Sequence, residues 1–268
     1  MQETSEKQRL FLALEVEAPW PPTYPSGRLI DETMRHITLA FLGNVSPDPL
    51  MEHLNELPHP SFQIGPAGRF EKMLFLPEKT PRVAAAKIHW LTLEDELEAY
   101  HSQLIAWLES LGYRLQHQPY LPHVSIARAP FNPEEWEEAF EALPVIVPTI
   151  RLYESRGNLQ YKSLWKLPLI APFREFEHTA DIAFHIAGCN YRDLLIHAAM
   201  ALGSRFPPIL PLLREAQVFS TLEQVIYALN EMITTSDTTI GCPFKAVSHH
   251  GKVREEKGLL FWEMVVDV

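Results

Sequence analysis

His36-Ile37-Thr38-Leu39-Ala40-Phe41-Leu42-Gly43 is matched later in the same half of the chain by Pro122-His123-Val124-Ser125-Ile126-Ala127-Arg128. In both stretches apolar residues alternate with the others, which is the period of a half-buried strand. On that pattern Ile37, Leu39 and Phe41, or Val124 and Ile126, face a core. The opposite face carries His36 with Thr38, and His123 with Ser125. A hydroxyl two residues beyond a histidine lies beside it on a strand, so both can touch one bound group. Two such strands imply one two-histidine site. His59-Pro60-Ser61 has the same letters, but Pro58 and Pro60 disfavour a central strand and mark a loop.

At 268 residues the chain accommodates two ordinary domains, with the composition of a water-soluble globular protein. The formal net charge of -11 argues against a protein that coats nucleic acid, since non-specific affinity comes from cations neutralising phosphates. A local groove for a nucleic-acid end stays compatible with that charge. Much of the acid is clustered, at 94–96 and again at 134–138, in segments that read as solvated helix faces. Cys189 and Cys242 form no Cys-x-x-Cys pair, so neither a disulfide framework nor a zinc site is indicated. The N-terminus is polar and no apolar run is long enough to span a bilayer, so a cytoplasmic protein without a membrane partner is expected.

Working outward from the histidines, Arg9 to Val16 is a near-continuous apolar run that suits a strand covered on both faces. A proline-rich loop follows. Short strands are expected around Gly65, Gly68 and Arg69, and another from Val83 to Ile88. Thr92 to Leu111 is a helix by its apolar spacing, with Gly112 at its end. Asn132 is the expected cap and Pro133 the first turn of another helix. Ile146 to Ser155 and Tyr161 to Leu167 close the half as strands about a Gly157-Asn158 turn. Strand, helix and strand thus alternate twice around two equivalent motifs. The expectation is an α+β fold with internal pseudo-symmetry over 1–170 and a linker near 168–172.

The region 171–268 reads as a smaller α/β sandwich. Ile182 to Ala187 alternates as a strand, and Tyr191 to about Gly203 is an amphipathic helix. Ser220-Thr221-Leu222-Glu223 has capping-box spacing ahead of a second helix. Phe244 to His249 and Leu259 to Val268 are the remaining expected strands.

The first region resembles the 2H phosphoesterase superfamily, and within it the RNA 2′,3′-cyclic phosphodiesterases once named 2′-5′ RNA ligases. The residues carrying the likeness are Arg9-Leu10-Phe11-Leu12-Ala13-Leu14, both histidine motifs, and Leu152-Tyr153-Glu154-Ser155 followed by Tyr161. The loop between the first strand and His36 is shorter than the family's. The second region resembles archease, a cofactor protein of the metal- and GTP-dependent RNA-splicing ligase. Its matching blocks are 176–182, 245–251 and the terminal Val265-Val266-Asp267-Val268. Ala183 stands where that family usually has glycine, and the stretch between the second helix and Phe244 is short, so an expected strand pair is abbreviated.

Opening a cyclic phosphodiester needs a base for water, an acid for the departing ribose oxygen, and donors for charge on the non-bridging oxygens. Histidine titrates near neutrality, so one neutral and one protonated imidazole can coexist. The resemblance implies His36 as proton donor and His123 as acceptor, an order the sequence alone does not set. Thr38 and Ser125 would hydrogen-bond the phosphate, with Arg128 adding charge. No cofactor is expected for this reaction. Phe41, Tyr120 and Tyr161 are candidates to stack on a base, with core packing the simpler account of each. In the archease-like region, Asp181, Asp267 and the terminal carboxylate of Val268 are implied as oxygen ligands of a divalent cation, calcium or magnesium. Capping is the alternative role for such aspartates. Lys245, His178, His249 and His250 are candidates for a ligase-facing surface. The expected partners are RNA bearing a 2′,3′-cyclic phosphate end and an RNA-splicing ligase. The rival reading is a non-catalytic RNA-end or nucleotide-binding module with a degenerate archease-like appendage.

Overall fold

The apolar run that begins at Arg9 forms β1 (Gln8–Glu17), paired on both edges and buried along most of its length. The structure is a computed structural model that describes residues 7–115, 119–178, 181–215, 218–248 and 252–268. After β1 the N-terminal half runs through β2 (Arg28–Leu29), β3 (His36–Val45), α1 (Asp48–His53), β4 (Ala67–Leu76) and β5 (Val83–Trp90). It continues with α2 (Glu94–Ser110), β6 (His123–Arg128), α3 (Pro133–Glu138), β7 (Pro144–Ser155) and β8 (Tyr161–Pro168). The sheet order is β2-β6-β5-β4-β7-β1-β3, with β8 also paired to β7, and every pairing between these strands is antiparallel.

β3 leads through α1 to β4, and β6 leads through α3 to β7. The sheet curls so that β3 and β6, far apart along it, come into contact. Asn132 caps α3 through its side chain, which accepts from the Glu134 N–H at 3.1 Å, and Pro133 occupies the first turn. Where short strands were expected around Gly65 to Arg69, the single ten-residue β4 forms instead. Its Gly68 is required, because a Cβ there would sit 2.5 Å from the His89 carbonyl oxygen of β5.

The C-terminal half consists of β9 (Phe173–Phe176), β10 (Ile182–Gly188), α4 (Tyr191–Arg205), α5 (Leu222–Ile240), β11 (Ala246–Val247), β12 (Arg254–Glu256) and β13 (Leu259–Asp267). Its antiparallel sheet has the order β11-β13-β10-β9, with β12 on β13, and α4 packs on β10 and against α5. The α5 cap lies one residue later than expected. Thr221 is the N-cap and Gln224 its partner: Thr221 accepts from the Gln224 N–H at 3.4 Å, and the Gln224 side chain accepts from the Ser220 N–H at 2.9 Å. The strand expected from Phe244 is reduced to β11, and His249 lies outside the described residues. The β12–β13 hairpin was not foreseen; its turn is Lys257-Gly258, both with positive φ.

The expected linker is tied to the N-terminal half by an isolated bridge. Ile170 bridges Ile64 in parallel, the Gly65 N–H donates to the Ile170 carbonyl at 2.9 Å, and the Ile170 N–H donates to the Gln63 carbonyl at 2.9 Å. Ala67, Leu91 and Ile146 of the N-terminal half join the C-terminal core beside Leu194, Ala198 and Leu202. Polar contacts complete the seam: Arg192 donates to the Glu215 and Leu91 carbonyls at 3.0 and 3.4 Å, and Glu215 pairs with Arg69 at 3.4 Å. Mixed α/β architecture with antiparallel sheets is therefore observed, with two cores in direct contact. Among the described residues no helix is long and apolar enough to cross a membrane.

Candidate active site

His36 and His123 are each the first residue of their strand, β3 and β6. Each ring is pinned in the same way. Nδ1 of His36 lies 2.8 Å from the Met34 carbonyl, and Nδ1 of His123 lies 2.8 Å from the Leu121 carbonyl. A carbonyl only accepts, so Nδ1 must carry the proton in both rings. Nε2 is then the atom left for chemistry: an acceptor in the neutral ring, a donor in the charged one. A histidine whose second nitrogen is fixed by a backbone carbonyl has its tautomer and orientation set in advance.

The strands then depart from simple alternation at the same place. Pairing of β3 with β1 steps from Thr38 opposite Ala13 to Ala40 opposite Leu12, leaving Leu39 as an extra residue. Pairing of β6 with β5 steps from Ser125 opposite Ala85 to Ala127 opposite Ala84, leaving Ile126 extra. Both β-bulges fall three residues after the histidine. A bulge shifts alternation by one and re-aims the side chains beyond it. Leu39 with Ala40, and Ile126 with Ala127, are accordingly all buried, and the next residue in each strand, Phe41 or Arg128, comes back toward the histidine face. The released carbonyls find partners. The ring Nε2–H of His101 donates to the Leu39 carbonyl at 3.0 Å, and the Ile30 N–H donates to the Ile126 carbonyl at 2.8 Å.

Phe41 was expected in the core with Ile37 and Leu39; it is instead 47% exposed, with the Arg9 guanidinium 4.9 Å above its ring. The bulge at Leu39 is the physical reason. A groove of about 1440 Å³ runs past Thr38, Phe41, His101, Tyr120, Leu121 and His123. His36, Ser125 and Arg128 are not among its lining residues. Tyr120 packs against the core and stacks on His101, with ring centroids 4.3 Å apart. Tyr161 packs against Phe11 and Tyr153 in a small aromatic cluster.

That cluster encloses His36. Phe11 lies 4.8 Å from its ring centroid, Tyr153 5.7 Å, and Tyr161 meets it edge-on at 5.0 Å. Burial disfavours the imidazolium, and the nearby charges of His123 and Arg128 add to this, so the pKa of His36 falls from 6.5 to about 4. The hydrogen bond to Met34 opposes the shift without cancelling it. Free His36 is thus neutral near pH 7. The strands that carry the two motifs, β3 and β6, are in contact.

Over about half its length the chain is similar to RNA 2′,3′-cyclic phosphodiesterases. A curated relative of that name from Geobacillus stearothermophilus is 33% identical over 158 residues, covering 53% of this chain and 47% of its own. Another, from Thermotoga maritima, is 27% identical over 140 residues, covering 47% of this chain and 69% of its own. The chain thus spans about half the length of the Geobacillus relative. Among solved structures, E. coli LigT complexed with 3′-AMP aligns over 61% of this chain and 99% of its own at 22% identity, with a TM-score of 0.45. The Thermus thermophilus protein TT0787 aligns over 61% and 98% at 24% identity, with a TM-score of 0.43. No protein-family model matches the chain.

In the C-terminal half, Asp181 directly precedes β10 and Asp267 ends β13; continuing the register from Ile182 opposite Val266 places the aspartates across from one another. His178 lies 3.7 Å from the Asp181 carboxylate. The Lys245 ammonium donates to the Val268 oxygen at 2.6 Å, so a cation already sits on the third expected ligand. Among the described residues no three His, Cys, Asp or Glu side chains converge as metal ligands. His250, like His249, lies outside the described residues.

Proposed function

We propose that the N-terminal half hydrolyses RNA 2′,3′-cyclic phosphate ends to 2′-phosphates by acid/base catalysis between two histidines. The observation that carries this reading is the matched brace: two imidazoles, each held at Nδ1 by the carbonyl two residues earlier, each leaving Nε2 free. The similarity to curated RNA 2′,3′-cyclic phosphodiesterases supports the substrate class. In this scheme His123 Nε2 takes a proton from water as the water oxygen bonds to phosphorus. The bond from phosphorus to the ribose 3′ oxygen breaks, and His36 Nε2 gives its proton to that oxygen. Thr38 and Ser125 donate to the non-bridging oxygens, where charge is greatest in the transition state.

His36 is neutral in the free site, so the scheme requires it to gain a proton when the anionic substrate arrives. The phosphate charge favours the imidazolium against the burial and the nearby Arg128 charge that hold the ring neutral, which makes proton uptake part of binding. The decisive assay uses a short RNA with a 2′,3′-cyclic phosphate end, the wild-type protein, His36→Ala and His123→Ala, with product ends resolved as 2′- or 3′-phosphate. Opening to the 2′-phosphate by wild type alone supports the reading. No opening by wild type overturns it in favour of an RNA-end binding module.

For the C-terminal half we propose an archease-like module that assists an RNA ligase, with a divalent cation held by Asp181, Asp267 and Val268. What supports it is the trio of matching blocks and the placement of the aspartates on neighbouring strands. Lys245 must yield the Val268 oxygen for the cation to enter. A melting-temperature titration with calcium and magnesium, repeated on Asp267→Asn, tests the site; an identical response in both proteins refutes it.

A further inference from the structure

The pairing of β2 with β6 sets Arg28 directly opposite Arg128. Side chains directly opposite in an antiparallel pair share a face, and like charges there are destabilising. Among the described residues neither arginine is in an ion pair that would offset the repulsion. β2 is only two residues long and lies at the sheet edge, and charge on an edge strand discourages unwanted strand addition. That purpose calls for one exposed arginine, not for a second directly across from it. The β6 bulge makes the arrangement more specific, because it is the extra residue Ile126 that brings Arg128 back to the face of His123 and Ser125. The carbonyl of that same residue is held by Ile30, two positions after Arg28. The bulge and the arginine pair are therefore one local construction.

We infer that Arg28 and Arg128 form an anion subsite beside the histidines, in which Arg28 holds the phosphodiester one nucleotide inward from the reacting end. The inference rests on the phosphodiesterase reading of the two-histidine site and narrows its substrate class to oligonucleotide ends, over nucleoside 2′,3′-cyclic monophosphates. Arginine suits this task because its planar fork grips two phosphate oxygens at once. Arg128 follows His123 and Ser125 along β6 and Arg28 faces it from β2, so the proposed cationic line leads outward from the histidines. The subsite accounts for how a chain of net charge -11 can take an RNA end: the positive charge is concentrated where the phosphates lie.

The test compares adenosine 2′,3′-cyclic monophosphate with a trinucleotide ending in a 2′,3′-cyclic phosphate, for wild type, Arg28→Gln and Arg28→Lys. For Arg28→Gln the expected result is a KM for the trinucleotide raised about tenfold, the size of one lost charge-assisted contact. The monophosphate kinetics stay unchanged, and Arg28→Lys recovers part of the loss. The salt dependence of trinucleotide affinity, read by fluorescence anisotropy, flattens by about 0.7 in logarithmic slope. Removing one of two opposed cations also raises the melting temperature of the free protein. Equal loss on both substrates, or no change on either, overturns the inference. Should wild type open neither substrate, the phosphodiesterase reading fails, and anisotropy still decides the subsite: equal trinucleotide affinity of wild type and Arg28→Gln refutes it.

Discussion

His36 makes the protein acid-sensitive in a defined window. Its pKa in the folded chain is about 4 against 6.5 for the free side chain. At about 1.4 kcal/mol per unit, the shift is linked to roughly 3 kcal/mol at most, since solvent reaching the half-buried ring trims the figure. The sign follows from proton counting. Between pH 6.5 and 4 the unfolded chain binds the proton and the folded chain does not, so unfolding is favoured as pH falls through that range. The stability is fully present above pH 6.5 and lost by about pH 4. His197, buried and likewise held neutral, contributes the same trend, so the comparison must be with a variant that keeps it. His36→Asn does so. Urea unfolding of wild type and His36→Asn from pH 4 to 7 should give a stability difference that shifts by roughly 2–3 kcal/mol across the window, in favour of the variant at low pH. A histidine NMR titration reads the same quantity at the ring. A His36 midpoint at or above 6.5, with parallel stability curves, refutes the account. The mechanism adds a coupled expectation: calorimetry of 2′-phosphate product binding at pH 7, in buffers of different ionisation enthalpy, should show proton uptake that disappears in His36→Asn. Binding without uptake would make His36 the proton acceptor and reverse the two roles.

Thr38→Val and Ser125→Ala should each lower kcat on a cyclic-phosphate end by about a hundredfold or more, with little change in melting temperature, since each removes one donor to developing charge; retention of full activity would remove that hydroxyl from the site. His101→Ala should destabilise the fold by about 1–3 kcal/mol, because it leaves the buried Leu39 carbonyl unpaired and removes the stack on Tyr120. The same variant should raise KM by loosening the bulge that presents Phe41, and unchanged KM would separate His101 from the groove. Thr221→Ala should cost about 1 kcal/mol in unfolding free energy through loss of the α5 cap, whereas Ser220→Ala should cost less; the reverse ranking would return the cap to Ser220.

Periodicity was enough to find most of the long elements, because burial imposes it. The apolar run from Arg9 became a doubly paired strand, and the helical spacing of Leu97, Tyr100, Leu104 and Leu108 became the buried face of α2. The histidine strands were legible for the same reason. Their bulges were not, since an extra residue between two buried neighbours reads as alternation continued by one more apolar letter. Leu39-Ala40 and Ile126-Ala127 do hold a signal in retrospect: two successive apolar residues at the same distance from each histidine. His101 carried no signal at all, because its partner is a backbone carbonyl in a strand 62 residues away. The β12–β13 hairpin was missed because Arg254-Glu255-Glu256 has no apolar face, although Lys257-Gly258 marks its turn.

For the proposed reaction, the bulges give a nearly symmetric site a means of distinguishing the two sides of an asymmetric substrate. Up to the fourth position past the histidine the two strands agree in ring brace, hydroxyl, bulge and paired burial. They part at the fifth, where one strand presents Phe41 and the other Arg128. An aromatic face accepts a base and a guanidinium accepts a phosphate, so the first residue after each bulge can fix which way round a nucleotide lies. In the proposed reaction that orientation would select which ribose oxygen meets which histidine. Exchanging the pair, with Phe41→Arg and Arg128→Phe together, should therefore impair opening more than either histidine-distant position would suggest from its contacts. If orientation is set here, the residual product of the double variant will shift from 2′-phosphate toward 3′-phosphate ends. An unchanged product ratio would place the orienting contacts elsewhere in the groove.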